Sequence, residues 1–382
     1  MKFLEKSILR VFFLTMLSTG AFAGQFNLGV QYQGWNSNYV APANFSGWEI
    51  WAPVNFNFSL DKAINVYASS EFGNAAYTDS LSGTPNTITL TGFSDTVIGS
   101  ELDFTGFGVP SSFNIAFSIP SGDQTWESKQ IASNIPTQFV ESRYKGRGFG
   151  VDAMYGLSFP AGGANIGAAA GYLYSGAFNP NFGTPTGAGN QLKLGDSLFI
   201  ALNYVQKFSG NQSQIIRLSG FYSLPTQQNS SNVFELGTNL NASYGWNNPE
   251  AFSFELGGQY YFAGLRPDIN GNFTTEAHNS YGPRLYFYPS YAFSDFVITG
   301  RAKYVLPNGY AVSDPLYVTC VGGFLVGLEP SVSLKLDNSS ALKFSISYDY
   351  IDAQNAAVDI NANPTNVIYD RWTFGTSYQV KL

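Results

Sequence analysis

The stretch Arg371–Leu382, R-W-T-F-G-T-S-Y-Q-V-K-L, decides the fold of this chain. Successive side chains of a strand point to opposite faces, so this segment has one apolar and one polar surface. The apolar face carries Trp372, Phe374, Tyr378, Val380 and Leu382, and the polar face carries Arg371, Thr373, Gly375, Ser377, Gln379 and Lys381. A soluble sandwich needs a second sheet to cover such an apolar face, whereas the wall of a barrel in lipid needs none.

The same alternation recurs to the end of the chain and predicts about sixteen strands. The predicted strands are 25–35, 48–60, 64–72, 95–104, 112–120, 147–159, 164–174, 196–208, 213–224, 233–246, 252–263, 281–292, 296–305, 324–336, 341–350 and 371–382. Pro289 and Pro330 lie inside two of them, although proline cannot donate to a ladder. Either they mark bulges or the strand boundaries there are misplaced.

The connections between the predicted strands alternate between short and long. The short ones are 61–63, 105–111, 160–163, 210–212, 247–250, 294–295 and 337–340, and the long ones are 36–47, 73–94, 121–146, 175–195, 264–280, 307–322 and 352–366, with a shorter one at 225–232. Outer-membrane barrels show this pattern of short periplasmic turns and longer outer loops, and a β-sandwich does not require it. The sequence therefore predicts an all-β fold, a closed antiparallel transmembrane β-barrel.

The first 23 residues have the composition of a removable export signal. A basic start is followed by the short apolar run Val11–Leu17 and by the small-residue site Ala21-Phe22-Ala23. The apolar run is too short to span a membrane. We therefore predict a signal peptide over 1–23, one barrel domain over 24–382, and a location in the bacterial outer membrane.

Composition limits the other classes of protein. The net charge of −7 argues against nucleic acid as a partner, and the 16% of aromatic residues favours strands. The single cysteine allows no internal disulfide, and with one histidine it excludes an ordinary His/Cys metal cluster. We predict no cofactor and no metal.

Aromatic residues gather where the predicted strands end. Tryptophan and tyrosine suit the headgroup layer of a membrane, and the alternative is that they belong to a packed core. The residues assigned to this belt are Trp35, Trp48, Tyr172, Tyr174, Tyr222, Tyr244, Trp246, Tyr291, Tyr304, Tyr348, Tyr350 and Trp372.

A closed barrel of this strand number leaves a water-filled lumen, so the polar faces predict its lining. For any single residue the alternative is ordinary packing and hydration of the lumen wall. The predicted pore-lining residues are Glu49, Glu101, Asp103, Asp152, Arg217, Glu235, Glu255, Arg284, Arg301, Lys303, Glu329 and Arg371.

The longest connection, residues 121–146, carries charges of both signs beside apolar residues. Such a loop narrows the lumen if it folds inward, where facing charges select solutes by size and charge. The alternative, an exposed outer loop, stays open at this point. The predicted constriction-loop residues are Asp123, Glu127, Lys129, Glu141, Arg143 and Lys145.

These features together resemble those of bacterial outer-membrane porins, over the whole chain after residue 23. The resemblance implies outer-membrane lipid around the barrel, assembly machinery that reads the C-terminal strand, small solutes as cargo, and a homotrimer. Leu382 departs from the phenylalanine usual at this end. A narrower resemblance, carried by 92–96 (G-F-S-D-T) and 113–123 (F-N-I-A-F-S-I-P-S-G-D), is to the barrel family of phenol-degradation pathways, which is similar to hydrophobic-compound transporters.

Four functions follow as alternatives. The first is a porin that passes small hydrophilic solutes and ions passively, and the second is a more selective channel for hydrophobic or aromatic compounds. The third is a barrel enzyme at His278, the only histidine, but a catalytic site needs a nucleophile and an orienting group as well as a base. The fourth is an adhesin that binds through its loops. The sequence favours the first and predicts that the chain is not an enzyme.

Overall fold

The computed structural model describes residues 23–37, 45–79, 86–122, 146, 148–179, 191–209, 211–228, 231–248, 251–262, 265–267, 273–278, 281–306, 322–357 and 365–381. The strands in this part of the chain are β1 (Ala23–Ser37), β2 (Phe45–Ser59), β3 (Ile64–Asp79), β4 (Asn86–Phe93), β5 (Thr96–Gly106), β6 (Val109–Ile119), β7 (Gly150–Ala161), β8 (Ala164–Ser175), β9 (Ala177–Phe178), β10 (Leu192–Lys193), β11 (Ser197–Lys207), β12 (Ser213–Gln228), β13 (Ser231–Asn247), β14 (Phe252–Phe262), β15 (Leu265–Pro267), β16 (Phe273–His278), β17 (Tyr281–Phe293), β18 (Phe296–Val305), β19 (Gly322–Lys335), β20 (Ser340–Ala357) and β21 (Thr365–Lys381).

A closed antiparallel barrel of 16 strands forms from this chain. The wall strands pair in chain order as β1, β2, β3, β5, β6, β7, β8, β11, β12, β13, β14, β17, β18, β19, β20 and β21. β1 pairs with β2 on one side and with β21 on the other, over the register Gln25↔Lys381 to Ser37↔Tyr369. Closure gives each of the 16 wall strands a partner on both sides, so most backbone groups of the described wall are paired within it. The predicted fold class and strand number are confirmed.

The short turns share one end of the barrel with the start of β1 and the end of β21. Phe107 and Gly108 connect β5 to β6 with φ of 53° and 76°, and Gly162 and Gly163 connect β7 to β8 with φ of 54° and 87°. Two positive-φ residues form the turn whose twist matches that of the flanking strands. Local chemistry thus fixes the register of these hairpins.

The turn between β19 and β20 is held by one carboxylate. Asp337 Oδ1 accepts hydrogen bonds from the backbone N–H of Ser339 and from that of Ser340, both at 2.7 Å. Led by the bond from the Ser339 N–H, these contacts lower the pKa of Asp337 to about 2.

The two faces of the wall differ as the alternation predicts. Large apolar side chains on the outward face are exposed, which suits contact with lipid. Examples are Leu28, Phe117, Ile200, Leu256, Phe287, Leu328, Ile346 and Phe374. Their neighbours in sequence point inward and are mostly polar.

Several predicted loops are partly strand. The connection predicted over 73–94 is wrong for most of its length, because β3 continues to Asp79 and β4 pairs with it over Phe72↔Phe93 to Asp79↔Asn86. β12 and β13 likewise extend to Gln228 and from Ser231. Backbone pairing beyond the apolar band satisfies polar groups that a loop would expose. Sequence alternation misses these extensions because their outward residues need not be apolar.

Pro289 and Pro330 both lie within strands, in β17 and β19, and the pairing register on either side of each is continuous. Neither proline therefore marks a bulge. A Cβ at Gly300, on the neighbouring strand, would lie 3.0 Å from Pro289 Cγ, so this glycine makes room for the ring.

No helix among the described residues is long and apolar enough to span a membrane.

Candidate functional site

The candidate site is the inward face of the barrel. The strand registers place Glu49, Glu101, Asp103, Asp152, Arg217, Glu255, Arg284, Arg301, Lys303, Glu329 and Arg371 on this face, as their alternation requires. The side chain of Glu235 lies outside the described residues, as does the whole segment 123–145 with Asp123, Glu127, Lys129, Glu141, Arg143 and Lys145. The predicted signal peptide, apart from Ala23, also lies outside them.

One part of the inward face is open to solvent and carries both charge signs. Arg217 on β12 and Glu255 on β14 face each other across β13, with Nη1 3.6 Å from Oε2. Their side chains are 53% and 37% exposed. An exposed pair at this distance contributes little to stability. Because both side chains are exposed, both charged groups are accessible from the lumen.

Two stacked tyrosines continue this surface on β17. Tyr286 donates a hydrogen bond from Oη to Glu255 Oε1 at 3.1 Å. Its ring lies 4.8 Å from that of Tyr288, at an interplanar angle of 22°. The inward position of these rings was not predicted, because tyrosine in a membrane barrel is expected in the headgroup belt.

A second group of charges continues around the wall on β18 to β21. Arg301 Nη1 lies 3.2 Å from Glu329 Oε2, and Arg301 Nη2 lies 2.9 Å from Asp349 Oδ1. The latter pair lacks the alignment of a hydrogen bond, so its attraction is electrostatic. Arg371 completes the group, since Nε donates a hydrogen bond to Asp349 Oδ2 at 2.9 Å and Nη2 lies 2.7 Å from the same oxygen.

Asp349 is the centre of this group. Its side chain is fully buried, whereas those of Arg301 and Arg371 are 23% and 13% exposed. A buried carboxylate is retained only where opposite charges compensate its desolvation. Asp349 was not among the predicted site residues, although its polar face in β20, with Ser345 and Ser347, already placed it inward. We name Arg217, Glu255, Arg301, Glu329, Asp349 and Arg371 the charge belt.

The end of the barrel near the long connections contains an apolar cluster on the same inward face. Its members are Trp35, Trp51, Ala75, Tyr77, Leu90, Val305, Leu325, Ile351, Ala353, Val367 and Tyr369, with Ile88 against them. Trp35 therefore does not belong to the headgroup belt as predicted; it points inward and packs 5.5 Å from Tyr77, ring to ring. Trp35 points inward because the odd-numbered residues of β1, such as Gln31 and Gln33, all have inward side chains.

Glu49 lies against this cluster and is fully buried. Tyr77 donates a hydrogen bond from Oη to Glu49 Oε1 at 2.5 Å. A charge-assisted bond of this kind offsets part of the desolvation of a carboxylate. Glu49 is thus inward-facing but inaccessible, and we assign it a structural role in place of contact with solute.

A groove of about 470 Å³ lies on the other side of the wall. It is lined by outward residues of β11 to β17, among them Ile200, Leu202, Leu240 and Leu285. Its surface is almost wholly apolar and lies on the outward face of the wall, so we do not assign it to a polar solute.

No group of His, Cys, Asp and Glu within the described parts of the chain could hold a metal ion. His278 ends the short strand β16, which pairs with β15 outside the barrel sheet, and its side chain lies outside the described residues.

No family model and no curated protein matches the sequence. Solved structures do match over nearly the whole chain. OccAB1 of Acinetobacter baumannii superposes with a TM-score of 0.51 at 10% identity, covering 95% of this chain and 97% of that one. The outer-membrane protein OpdK of Pseudomonas aeruginosa gives 0.48 at 9% identity, over 94% and 99%. An outer-membrane channel from Pseudomonas putida F1 gives 0.39 at 8% identity, over 96% and 97%.

At such identities the likeness concerns the fold alone. Of these three matches, only that to OccAB1 has a TM-score above about 0.5, so the conclusion about the fold depends on it. The predicted resemblance to bacterial outer-membrane porins is confirmed at that level, and the fold supports an outer-membrane location. The narrower resemblance to the barrel family of phenol-degradation pathways stays a prediction, because no family model matches.

Proposed function

We propose that this chain is an outer-membrane channel through which small hydrophilic solutes and ions diffuse passively. The observation that carries the proposal is the pair Arg217 and Glu255, which is exposed on the inward face of a closed barrel. Charges of both signs, accessible to water, lower the barrier for polar solutes without binding one class tightly. We assign the lining to the predicted pore-lining residues other than Glu49, which is buried.

The experiment is reconstitution of the refolded full chain in planar bilayers and in liposomes. We expect stable open steps in bilayers and swelling of liposomes in small sugars. A folded, inserted protein that leaves both membranes sealed would refute the proposal. Folding is checked independently by the shift in gel mobility between heated and unheated samples.

A second candidate is a channel for apolar or aromatic compounds. The inward apolar cluster around Trp51, Tyr77 and Leu90 favours it, because it lies inside the barrel. These side chains are between 1% and 3% exposed, so a solute does not reach them without displacing packed groups. Uptake of an aromatic acid and of a sugar of similar size into the same liposomes distinguishes the candidates. Sugar uptake as fast as aromatic uptake excludes the second.

The partners belong to the proposal as well. Lipid surrounds the outward apolar face, the assembly machinery recognises the strand ending at Lys381 and Leu382, and three copies associate in the membrane. Cross-linking of the inserted protein tests the trimer, and truncation of the last strand tests assembly. We propose further that the connection 121–146 sets the narrowest point, so its deletion should raise unitary conductance.

A channel role also leaves no chemistry for His278. Replacing it with alanine should therefore leave solute flux unchanged, and loss of a hydrolytic activity on this replacement would support the enzyme alternative instead.

A further inference from the structure

Long inward side chains repeatedly lie against a glycine of the neighbouring strand. Within the described residues, five inward side chains have a glycine directly opposite in the pairing register, and a Cβ built on that glycine would overlap the side chain. The pairs are Trp35 with Gly47, Tyr67 with Gly99, Asn203 with Gly167, Tyr286 with Gly257, and Asp349 with Gly327. We name these glycines the sockets.

The overlap involves different atoms at different sockets. At Gly257 a Cβ would collide with the Cζ and Oη of Tyr286 and lie 2.8 Å from its Cε1. At Gly99 it would collide with the same end of Tyr67 and lie 2.7 Å from Cε2. At Gly327 it would collide with Asp349 and also lie 2.8 Å from the backbone oxygen of Tyr348. The first two sockets are therefore filled by side chains alone.

Glycine in the interior of a strand is unfavourable, so its presence opposite a large side chain needs a physical reason. Neighbouring strands lie about 4.8 Å apart, which is less than the reach of a tyrosine. A tyrosine that lies flat across the next strand must therefore cross the position of that strand's Cβ. Glycine removes this obstacle. With a Cβ at Gly257, the Tyr286 ring could not keep its present position and would have to turn away from the neighbouring strand.

We propose that the sockets set the bore of the channel, because they hold long inward side chains flat against the wall. This inference rests on the proposed channel function and specifies which residues determine its width. Tyr286 is the informative case, because it belongs to the open part of the lumen. Flat on Gly257, it donates its hydrogen bond to Glu255 at 3.1 Å and leaves that carboxylate 3.6 Å from Arg217. The socket thus positions part of the charge belt as well as one ring.

The test is unitary conductance of single channels in planar bilayers at high salt. Gly257→Ala should lift the Tyr286 ring into the lumen and reduce conductance, by roughly a tenth to a third for one ring in a barrel of this strand number. Gly257→Ala with Tyr286→Ala should restore it, because the group that was displaced is gone. A change in the wall that does not depend on Tyr286 predicts no such rescue.

Two single substitutions serve as matched controls. Gly245→Ala also adds an inward methyl group, but a Cβ there meets nothing closer than a backbone oxygen at 3.7 Å. Gly258→Ala changes the adjacent residue of the same strand on the outward face, where the nearest atom is Leu285 Cδ2 at 3.2 Å. Both carry the same change in backbone propensity, and both should conduct like the wild type.

The results distinguish a failure of the proposed channel function from a failure of the socket inference. Wild-type protein that never conducts overturns the proposed function, and the socket inference with it. Wild-type conduction together with unchanged conductance of Gly257→Ala overturns the socket inference alone. So does a double variant that stays as low as Gly257→Ala, since a distorted wall would then be the cause. If Gly257→Ala does not fold, Gly99→Ala with and without Tyr67→Ala applies the same criteria to a second socket.

Discussion

Replacing Asp349 with asparagine should make the channel more selective for anions. The charge belt has three arginines and three carboxylates among its described members, so it is locally neutral. Asparagine keeps the shape that fits over Gly327 but removes one negative charge. Arg371 then loses the carboxylate that lies 2.7 Å from its Nη2, and the belt carries one net positive charge.

The size of the effect follows from Coulomb's law. One added charge about 8 Å from a passing ion changes its energy by about 0.5 kcal/mol in water and about 1 kcal/mol at half that dielectric constant. Anions and cations shift in opposite directions, so the permeability ratio changes by about 1–2 kcal/mol before screening. At 0.1 M salt screening removes about half of this, which leaves a change of about two- to sixfold.

The assay is the reversal potential of a bilayer with a tenfold gradient of potassium chloride. The variant should move it toward the chloride potential. Asp349→Asn combined with Arg371→Gln restores neutrality and should return the reversal potential close to that of the wild type. Asp61→Asn, in the short turn between β2 and β3, changes an aspartate outside the lumen wall and should have a smaller effect.

An Asp349→Asn variant whose reversal potential is unchanged, or moves toward the potassium potential, would refute this prediction. A double variant Asp349→Asn with Arg371→Gln that is as anion-selective as the single variant would also contradict the prediction. The net charge of the belt would then not be the cause of the selectivity. Loss of one partner from a buried ion pair costs about 3–5 kcal/mol, so correct folding of each variant is checked first by gel mobility.

Three further predictions concern the wall. A spin label at Ile346, in a variant without the native cysteine, should report hydrocarbon and a label at Ser345 should report water, and the reverse would invert the barrel. Tyr77→Phe removes the hydroxyl that binds the buried Glu49 and should lower stability toward denaturant by about 1–3 kcal/mol; no loss would mean that the bond is not needed. Because the folded-state pKa of Asp337 is lowered to about 2 from an ordinary 3.8, its contribution to stability is present above about pH 4 and is lost as pH falls toward 2. Asp337→Asn should therefore remove part of the acid dependence of thermal unfolding, and an unchanged pH profile would contradict this.

Much of the wall could be predicted because its signal is local. Phe254 and Glu255 are adjacent, one apolar and one charged, and a strand must send them to opposite faces. Closure of the barrel then makes one of these faces the lumen. The sequence did not predict the inward position of Trp35, because the amphipathic indole suits a headgroup layer as well as a packed interior. It also could not mark β4 and the end of β3, whose outward residues include Asn74, Thr87 and Thr91 and are not apolar.

The partners within the site could not be predicted in this way. Arg301, Asp349 and Arg371 belong to three different strands, and the sequence fixes that each points inward but not which of them meet. That depends on the stagger between strands that closure imposes. The five socket pairs could not be recognised in the sequence for the same reason, since the register that sets each glycine opposite its partner is not written in either strand.

The sequence by itself determined that this chain builds a two-sided wall, about how many strands the wall has, and, apart from residues such as Trp35, which residues face each side. Each of these depends on neighbouring residues and on the period of a strand. Only the tertiary structure decided that Asp349 is buried between two arginines and that the interior is apolar at the end near the long connections. It also decided which inward side chain lies opposite each socket glycine. Those facts depend on the register between strands, which links residues that are far apart in the chain.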